Sequence, residues 1–433
     1  MPDYTTISQL IAAHKSGRPV GIYSVCSAHP YVLAAAARLA RQTGQLLLVE
    51  STCNQVNQYG GYTRMTPQDF MAFILEITDR HGLPRPQVIL GGDHLGPSPW
   101  QAEPAASAMA KSRRLVQDYV WAGYTKIHLD ASMRCADDVK GAPLDPPLAT
   151  RRAAELCRTA EQAHRGLPAG SQPPCYVIGT EVPVPGGAQV DEGELSITEP
   201  SAAQETIELT HAAFLKLGLE AAWERVIALV VQPGVEFSDA GVYAYDRRKA
   251  TPLSKFIERT ERLAYEAHST DYQPPVALKQ MVEDHFAILK VGPALTFAFR
   301  EAVFALESIE REWLESRPGV QLSRLRETLE QVMLEQPWAW EKYYHGDERA
   351  RRFARKYSYS DRSRYYWSDP RLEQAVERLF ANLDANPVPQ TLLIQFLPEQ
   401  YARLRAGLLA PEPQLWVEDR IISALRPYAD ACA

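Results

Sequence analysis

The sequence predicts an α/β chain folded as a (β/α)8 TIM barrel with a C-terminal helical appendage. Three observations carry this: eight short apolar runs within the first 293 residues, helical periodicity after each run, and long connections on one side of the repeat only. The runs are Val20–Ser27, Gln45–Thr52, Gln87–His94, Tyr124–Ser132, Tyr176–Pro183, Val226–Gly234, Leu263–Thr270 and Phe286–Pro293. Most are apolar on successive residues, as parallel strands buried on both faces require. Helical spacing fills Tyr31–Arg41, Pro67–Arg80, Ala102–Ala122, Ala149–Ala163, Ser201–Leu217, Pro252–Arg262, Pro275–His285 and Ala294–Leu314. A doubly wound sheet usually has fewer strands, and no Gly-x-Gly-x-x-Gly turn follows the first run.

Connection lengths orient the barrel. Helix-to-strand links such as Gln42–Gly44 and His81–Pro86 are short, whereas Cys53–Thr66, Met133–Leu148, Val184–Pro200 and Val235–Thr251, all after strands, are long. Long loops on one face are where a barrel carries its binding groups. After Ser316 the rhythm stops, and Pro318–Leu334, Leu372–Leu383, Thr391–Leu397, Glu399–Ala406 and Val417–Tyr428 read as helices. The expected division is therefore a barrel over 1–316 and a mostly helical region over 317–433. The run Ala34–Ala37 reads as a strong helix former whose small side chains allow close packing.

Composition excludes several function classes. Of the 433 residues 45% are hydrophobic and 23% charged, the balance of a globular protein. Asp and Glu (53) outnumber Lys and Arg (46), and a net charge of −7 argues against nucleic acid as the main partner. The six cysteines are scattered without a C-x-x-C pair, so neither a zinc cluster nor a disulfide framework is expected. No apolar stretch approaches the roughly 20 residues of a membrane span, and a cytoplasmic location is the default expectation. The absence of a Gly-x-x-x-x-Gly-Lys-Ser/Thr loop disfavours a P-loop kinase, and that of a Gly-x-Ser-x-Gly elbow disfavours the simplest hydrolase.

Each expected strand ends in polar groups: Cys26 and Ser27, Glu50 and Ser51, Asp93 and His94, His128 and Asp130, Glu181, Gln232, His268 with Ser269 and Thr270, and Lys290. Eight polar ends converging on one mouth point to a functional site there. His94, Glu181 and His268, on strands three, five and seven, are the candidate ligands of a divalent metal such as zinc, manganese, cobalt or nickel. Asp93, beside His94 in Gly91–Pro97, is the candidate general acid/base. His128 and Asp130, two apart, face one side of a strand and can orient a ligand or base. Lys290 can stabilise negative charge or bind phosphate. A segment rich in Lys, Arg and aromatics, Glu341–Trp367, suits contact with phosphate, a sugar face or a partner chain, or packing on the barrel.

Several motifs resemble signatures of the tagatose-1,6-bisphosphate aldolase Z-subunit family: Ser24–Pro30, Asn54–Gln58, Gly91–Pro97, His128–Ser132, Gly179–Gly187, His268–Gln273, Lys290–Phe297 and Tyr357–Trp367. The resemblance implies a barrel acting in galactitol and N-acetylgalactosamine catabolism, commonly as the non-catalytic subunit of a class II aldolase. Related sequences are assigned as fructose/tagatose 4-epimerases. More distantly, Asp93-His94 matches the aldolase Asp-His pair and His268 the last metal histidine, while Glu181 stands where a middle histidine is expected. The expected function is a metal-dependent ketohexose 4-epimerase working by retro-aldol and aldol steps at C3–C4, on a free or phosphorylated sugar. Its catalytic residues would be Asp93, Asp130 and Lys290, and its sugar-binding residues Ser27, Glu50, His128, Gln232 and Thr270. The alternative is a supporting subunit partnered with a catalytic aldolase chain, and self-association stays open.

Overall fold

The computed structural model describes residues 4–139, 144–180 and 195–433. Eight parallel strands close into a barrel: β1 (Ile22–Val25), β2 (Leu47–Thr52), β3 (Val88–Leu95), β4 (Lys126–Leu129), β5 (Cys175–Ile178), β6 (Val226–Val231), β7 (Ala264–Ala267) and β8 (Phe286–Val291), with β8 paired to β1. Each overlaps its expected run, and the TIM-barrel architecture is as the sequence predicts. A short hairpin, Glu236–Phe237 with Val242–Tyr243, sits in the loop after β6.

The surrounding helices follow the expected positions, several opened by a proline in the first turn, where its missing N–H costs nothing: Pro30, Pro67, Pro146, Pro200, Pro275 and Pro293. The helix expected from Pro252 instead runs Arg247–Ile257 with Pro252 inside it. Its start is set by Asp246, whose side chain accepts the Arg248 N–H at 3.0 Å. The helix expected from Pro318 begins only at Leu325, after Gly319 and Arg324 both adopt positive φ. Among the described residues three α-helices are additional to those expected, Ile7–Lys15, the single turn Glu220–Trp223, and Glu348–Tyr357.

Inward-facing residues form layers of different chemistry. The lower layers are apolar, with Ile22, Leu48, Ile89, Val177, Ile227 and Ile288 packed under the Ile7, Leu10 and Ile11 face of the N-terminal helix, which plugs that end. Two residues further along the strands the interior becomes polar: Ser24, Glu50, Lys126, His128, Glu266 and Lys290 are all buried. The period-2 geometry of a strand stacks the polar layer on the apolar one.

The C-terminal region is packed on the barrel. Helix Pro413–Ala431 lies against Pro30–Thr43, Pro275–Glu283 and Pro293–Leu314, and the small residues Ala34–Ala37 are buried at that side. Gly21, just before β1, donates its N–H to the Cys432 carbonyl (3.0 Å), and the Tyr428 hydroxyl donates to the Thr270 carbonyl (2.6 Å). Barrel and C-terminal residues share one continuous apolar core. Among the described residues no helix is long and apolar enough to cross a membrane.

Candidate functional site

The site starts from an irregularity in β3. Regular alternation would send Asp93 and His94 to opposite faces. Against β4, however, Gly92 pairs with Ile127 and Leu95 with Leu129, so β3 holds one extra residue. His94 takes up that residue in a left-handed conformation, φ +49°. The bulge brings both side chains to the cavity. The flanking glycines make room: a Cβ on Gly91 would come within 2.6 Å of the Glu50 carboxylate, and one on Gly96 would run into the Asp130 carbonyl oxygen.

Three histidines converge there. The His94 ring centre lies 5.0 Å from that of His128 and 4.9 Å from that of His268, and the last two are 5.4 Å apart. Each ring has one nitrogen beside a carboxylate: His94 Nδ1 is 2.8 Å from Asp130 Oδ2, His128 Nδ1 3.0 Å from Asp93 Oδ1, and His268 Nε2 3.0 Å from Glu266 Oε1. At His94 and His268 a carboxylate on one nitrogen holds the proton there and leaves the other nitrogen's lone pair free, the usual support of a metal-binding histidine, whereas His128 Nδ1 also accepts the His94 backbone N–H at 3.2 Å. The His128 Nε2 is buried without a hydrogen-bond partner. Ligand atoms of Asp93, His94, His128 and His268 all lie within 4.8 Å of one another. Three imidazoles sharing one ion at about 2.1 Å would place their ring centres about 5 Å apart, so the spacing fits.

Charge points the same way. Four buried carboxylates, Glu50, Asp93, Asp130 and Glu266, surround two ammonium groups, Lys126 and Lys290, and Asp130 pairs with His94. Lys126 Nζ contacts Glu50 Oε1 and lies 2.5 Å from Glu266 Oε2; Lys290 Nζ contacts Asp93 Oδ1 and lies 2.7 Å from Glu50 Oε2. Burial would push the Asp93 and Glu266 carboxyls up. The opposing charges prevail and hold both well below the usual range, His94 and Lys290 acting on Asp93, and Lys126 and Lys290 on Glu266. His94 is raised because Asp93 and Asp130 outweigh its burial, whereas burial and the Lys290 charge press His268 down to about 3.

Of the residues expected from sequence, the structure gathers Asp93, His94, Asp130, His268, Lys290, Glu50 and His128. Glu181, the expected third ligand, lies outside the described residues. Ser27 accepts the His29 N–H (3.2 Å) and lines a neighbouring cavity of about 410 Å³. Gln232 spends its side-chain oxygen on the N–H groups of Gly234 (2.8 Å) and Val235 (3.1 Å), and the Thr270 hydroxyl donates to the Lys290 carbonyl (2.7 Å). Lys126 and Glu266 are members of the cluster that the sequence reading misses. Their signal is the i, i+2 spacing to His128 and His268, which puts each on the face of its histidine.

A cavity of about 630 Å³ stands over the cluster, reaching Asp93, His94, His268 and Lys290 at its floor. Its far wall is C-terminal: Trp338, Lys342, Tyr343, Arg362, Arg364 and Tyr365. The basic aromatic segment thus both packs on the barrel and lines the mouth.

Fold and site together define a (β/α)8-barrel protein with a buried ionisable cluster at the C-terminal ends of its strands. The chain belongs to the D-tagatose-1,6-bisphosphate aldolase subunit GatZ/KbaZ-like family, whose model matches residues 7–433. It is similar to a Sinorhizobium meliloti 1021 protein described as a probable tagatose 6 phosphate kinase, at 45% identity and TM-score 0.86 over 95% of this chain and 100% of that one. The YdjI aldolase of Escherichia coli K12 matches at 12% identity and TM-score 0.43, over 87% of this chain and 97% of its own. The Campylobacter jejuni fructose-bisphosphate aldolase matches at 12% and 0.46, over 87% and 91%.

Proposed function

We infer that the chain is a supporting subunit of a class II D-tagatose-1,6-bisphosphate aldolase, with a barrel mouth that is itself a metal and ketohexose site. The family match over residues 7–433 carries the subunit role and favours it over the free-standing epimerase. The site reading rests on His94, His128 and His268, each backed by a carboxylate, beneath a cavity of about 630 Å³. A volume of that order suits a small polar ligand. His94, His128 and His268 would hold a divalent ion of the zinc, manganese, cobalt or nickel type, with Glu181 a further expected ligand. Such an ion supplies Lewis acidity toward sugar oxygens.

The second reading, a D-fructose/D-tagatose 4-epimerase, is favoured by one observation, the ionised Asp93 on the cavity floor next to the histidines. In that reaction Asp93 takes the C4 hydroxyl proton as the C3–C4 bond breaks, and the bond's electron pair stays on the C3 fragment. The aldehyde fragment turns, C3 adds to its other face, and Asp93 returns the proton. Lys290 keeps Asp93 ionised between turnovers, and Asp130 holds the His94 ring in orientation.

Incubating the purified chain, loaded with each metal in turn, with D-fructose, D-tagatose and their 6-phosphates separates the two. Without conversion, a class II aldolase whose half-life at its inactivation temperature lengthens on adding this chain upholds the subunit role. C4 inversion by the chain alone upholds the epimerase, and an aldolase indifferent to the chain removes the subunit role.

A further inference from the structure

We propose that Lys342, Arg362 and Arg364 form a phosphate-binding subsite on the far wall of the cavity, making the ligand a phosphorylated ketohexose; this rests on reading the barrel mouth as a sugar site. The contrast with other arginines carries the argument. Buried arginines that serve the fold are matched with acids: Arg300 Nε donates to Asp361 (2.8 Å), and Arg355 Nη2 to Glu330 (2.5 Å) and Glu348 (2.6 Å). Among the described residues Lys342, Arg362 and Arg364 form no ion pair, although Arg362 is only 4% exposed. The nearest acid in sequence, Asp361, is taken by Arg300.

In direct contact the three cations meet neutral groups, while Asp239 acts on Arg362, and Asp361 and Asp271 act on Arg364, from longer range. Arg362 lies over the Tyr343 ring, with Cζ 3.0 Å from the centroid, and its Nη1 donates to the Ala339 carbonyl at 2.9 Å. Its Nε is buried without a partner. Arg364 Nη2 donates to the Tyr365 hydroxyl (2.8 Å), Nη1 contacts the Ser360 carbonyl, and Lys342 Nζ lies 5.0 Å from the Tyr343 centroid. Burial pushes the Tyr365 phenol up, yet Arg364 and Arg362 overcome it and hold the group below its usual range. Positive charge beside a cavity with no carboxylate in contact is what a dianionic phosphate pairs with, and guanidinium groups match its oxygens in geometry.

The usual phosphate position of a barrel, at the ends of strands seven and eight and a following helix N-terminus, is closed here. Asp271 accepts the N–H groups of Gly292 (3.0 Å) and Ala294 (2.8 Å) that an anion would need, so its own carboxylate stands in the way. The C-terminal segment offers the replacement, and the cavity spans from it to the histidine cluster.

Calorimetric titration of the full chain with D-tagatose 6-phosphate, D-tagatose and inorganic phosphate tests the subsite. The sugar phosphate should bind about 10–100-fold more tightly than the free sugar, and inorganic phosphate should compete with it. Arg364→Gln should cost about 10-fold in sugar-phosphate affinity with D-tagatose binding unchanged. Lys342→Gln, at an exposed side chain whose loss leaves the fold intact, should act in the same direction. Equal wild-type affinity for both sugars, or variants that keep the full preference, would overturn the subsite. If neither sugar binds, the sugar reading fails separately. Inorganic phosphate then decides: binding lost in both variants upholds the subsite, and no binding to the wild type overturns it.

Discussion

Replacing Lys126 by methionine should destabilise the fold by about 3–5 kcal/mol, because it strands buried carboxylates. Lys126 and its partners Glu50 and Glu266 are 0% exposed, and among the described residues Lys290 would remain the only ammonium for Glu50, Glu266 and Asp93. Removing one partner of a buried network costs more than the network contributes, since the remaining charges cannot return to water. Urea unfolding of wild type and variant at pH 7 measures the difference. The double variant Lys126→Met, Glu266→Gln should recover part of it by removing one stranded charge. A single-variant loss below about 1 kcal/mol would mean that water or a proton already compensates these carboxylates.

The second large effect concerns chemistry. In ketohexose interconversion, Asp93→Asn should slow turnover by about 10²–10⁴-fold, the contribution of a positioned general acid or base. The amide keeps nearly the same shape, and Glu50 still pairs with Lys290 at 2.7 Å, so the fold should hold. The loss should appear in kcat with KM little changed, since proton transfer counts only in the transition state. An Asp93→Asn enzyme with full turnover would remove Asp93 from the reaction. Asp130 would be a poor substitute, because it is committed to His94 and Ser132.

The barrel was legible because parallel strands buried on both faces leave continuous apolar runs, and because each run ends in polar residues. Where the reading fell short, the missing information was long-range or lacked an apolar stripe. Helix Glu348–Tyr357 leaves no such signal, because its buried side chain is Arg355, matched by Glu330 and Glu348, and charged pairs give no hydrophobic period. The N-terminal helix Ile7–Lys15 has only nine residues, and it is held by packing under the barrel. Pro252 reads as a helix start, but the Asp246 cap upstream prevails. At the site, Asp93-His94 was visible as a pair, while the bulge that turns both inward shows only in the pairing of β3 with β4. His128 was expected at the sugar. Its approach to His94 and His268 depends on barrel closure, which no local pattern encodes.

Cobalt titration decides whether the cluster of His94, His128 and His268 is a divalent-metal site. Metal-stripped protein titrated with Co²⁺ should develop visible absorption that saturates near one ion per chain, as imidazole nitrogens enter the coordination sphere. His268→Ala and His94→Ala, each removing one of three converging imidazoles, should lose the saturable signal while keeping the wild-type far-UV circular dichroism. A wild-type chain that develops no saturable absorption, or a His94→Ala chain that binds cobalt as the wild type does, would show that the histidine cluster is not a metal site.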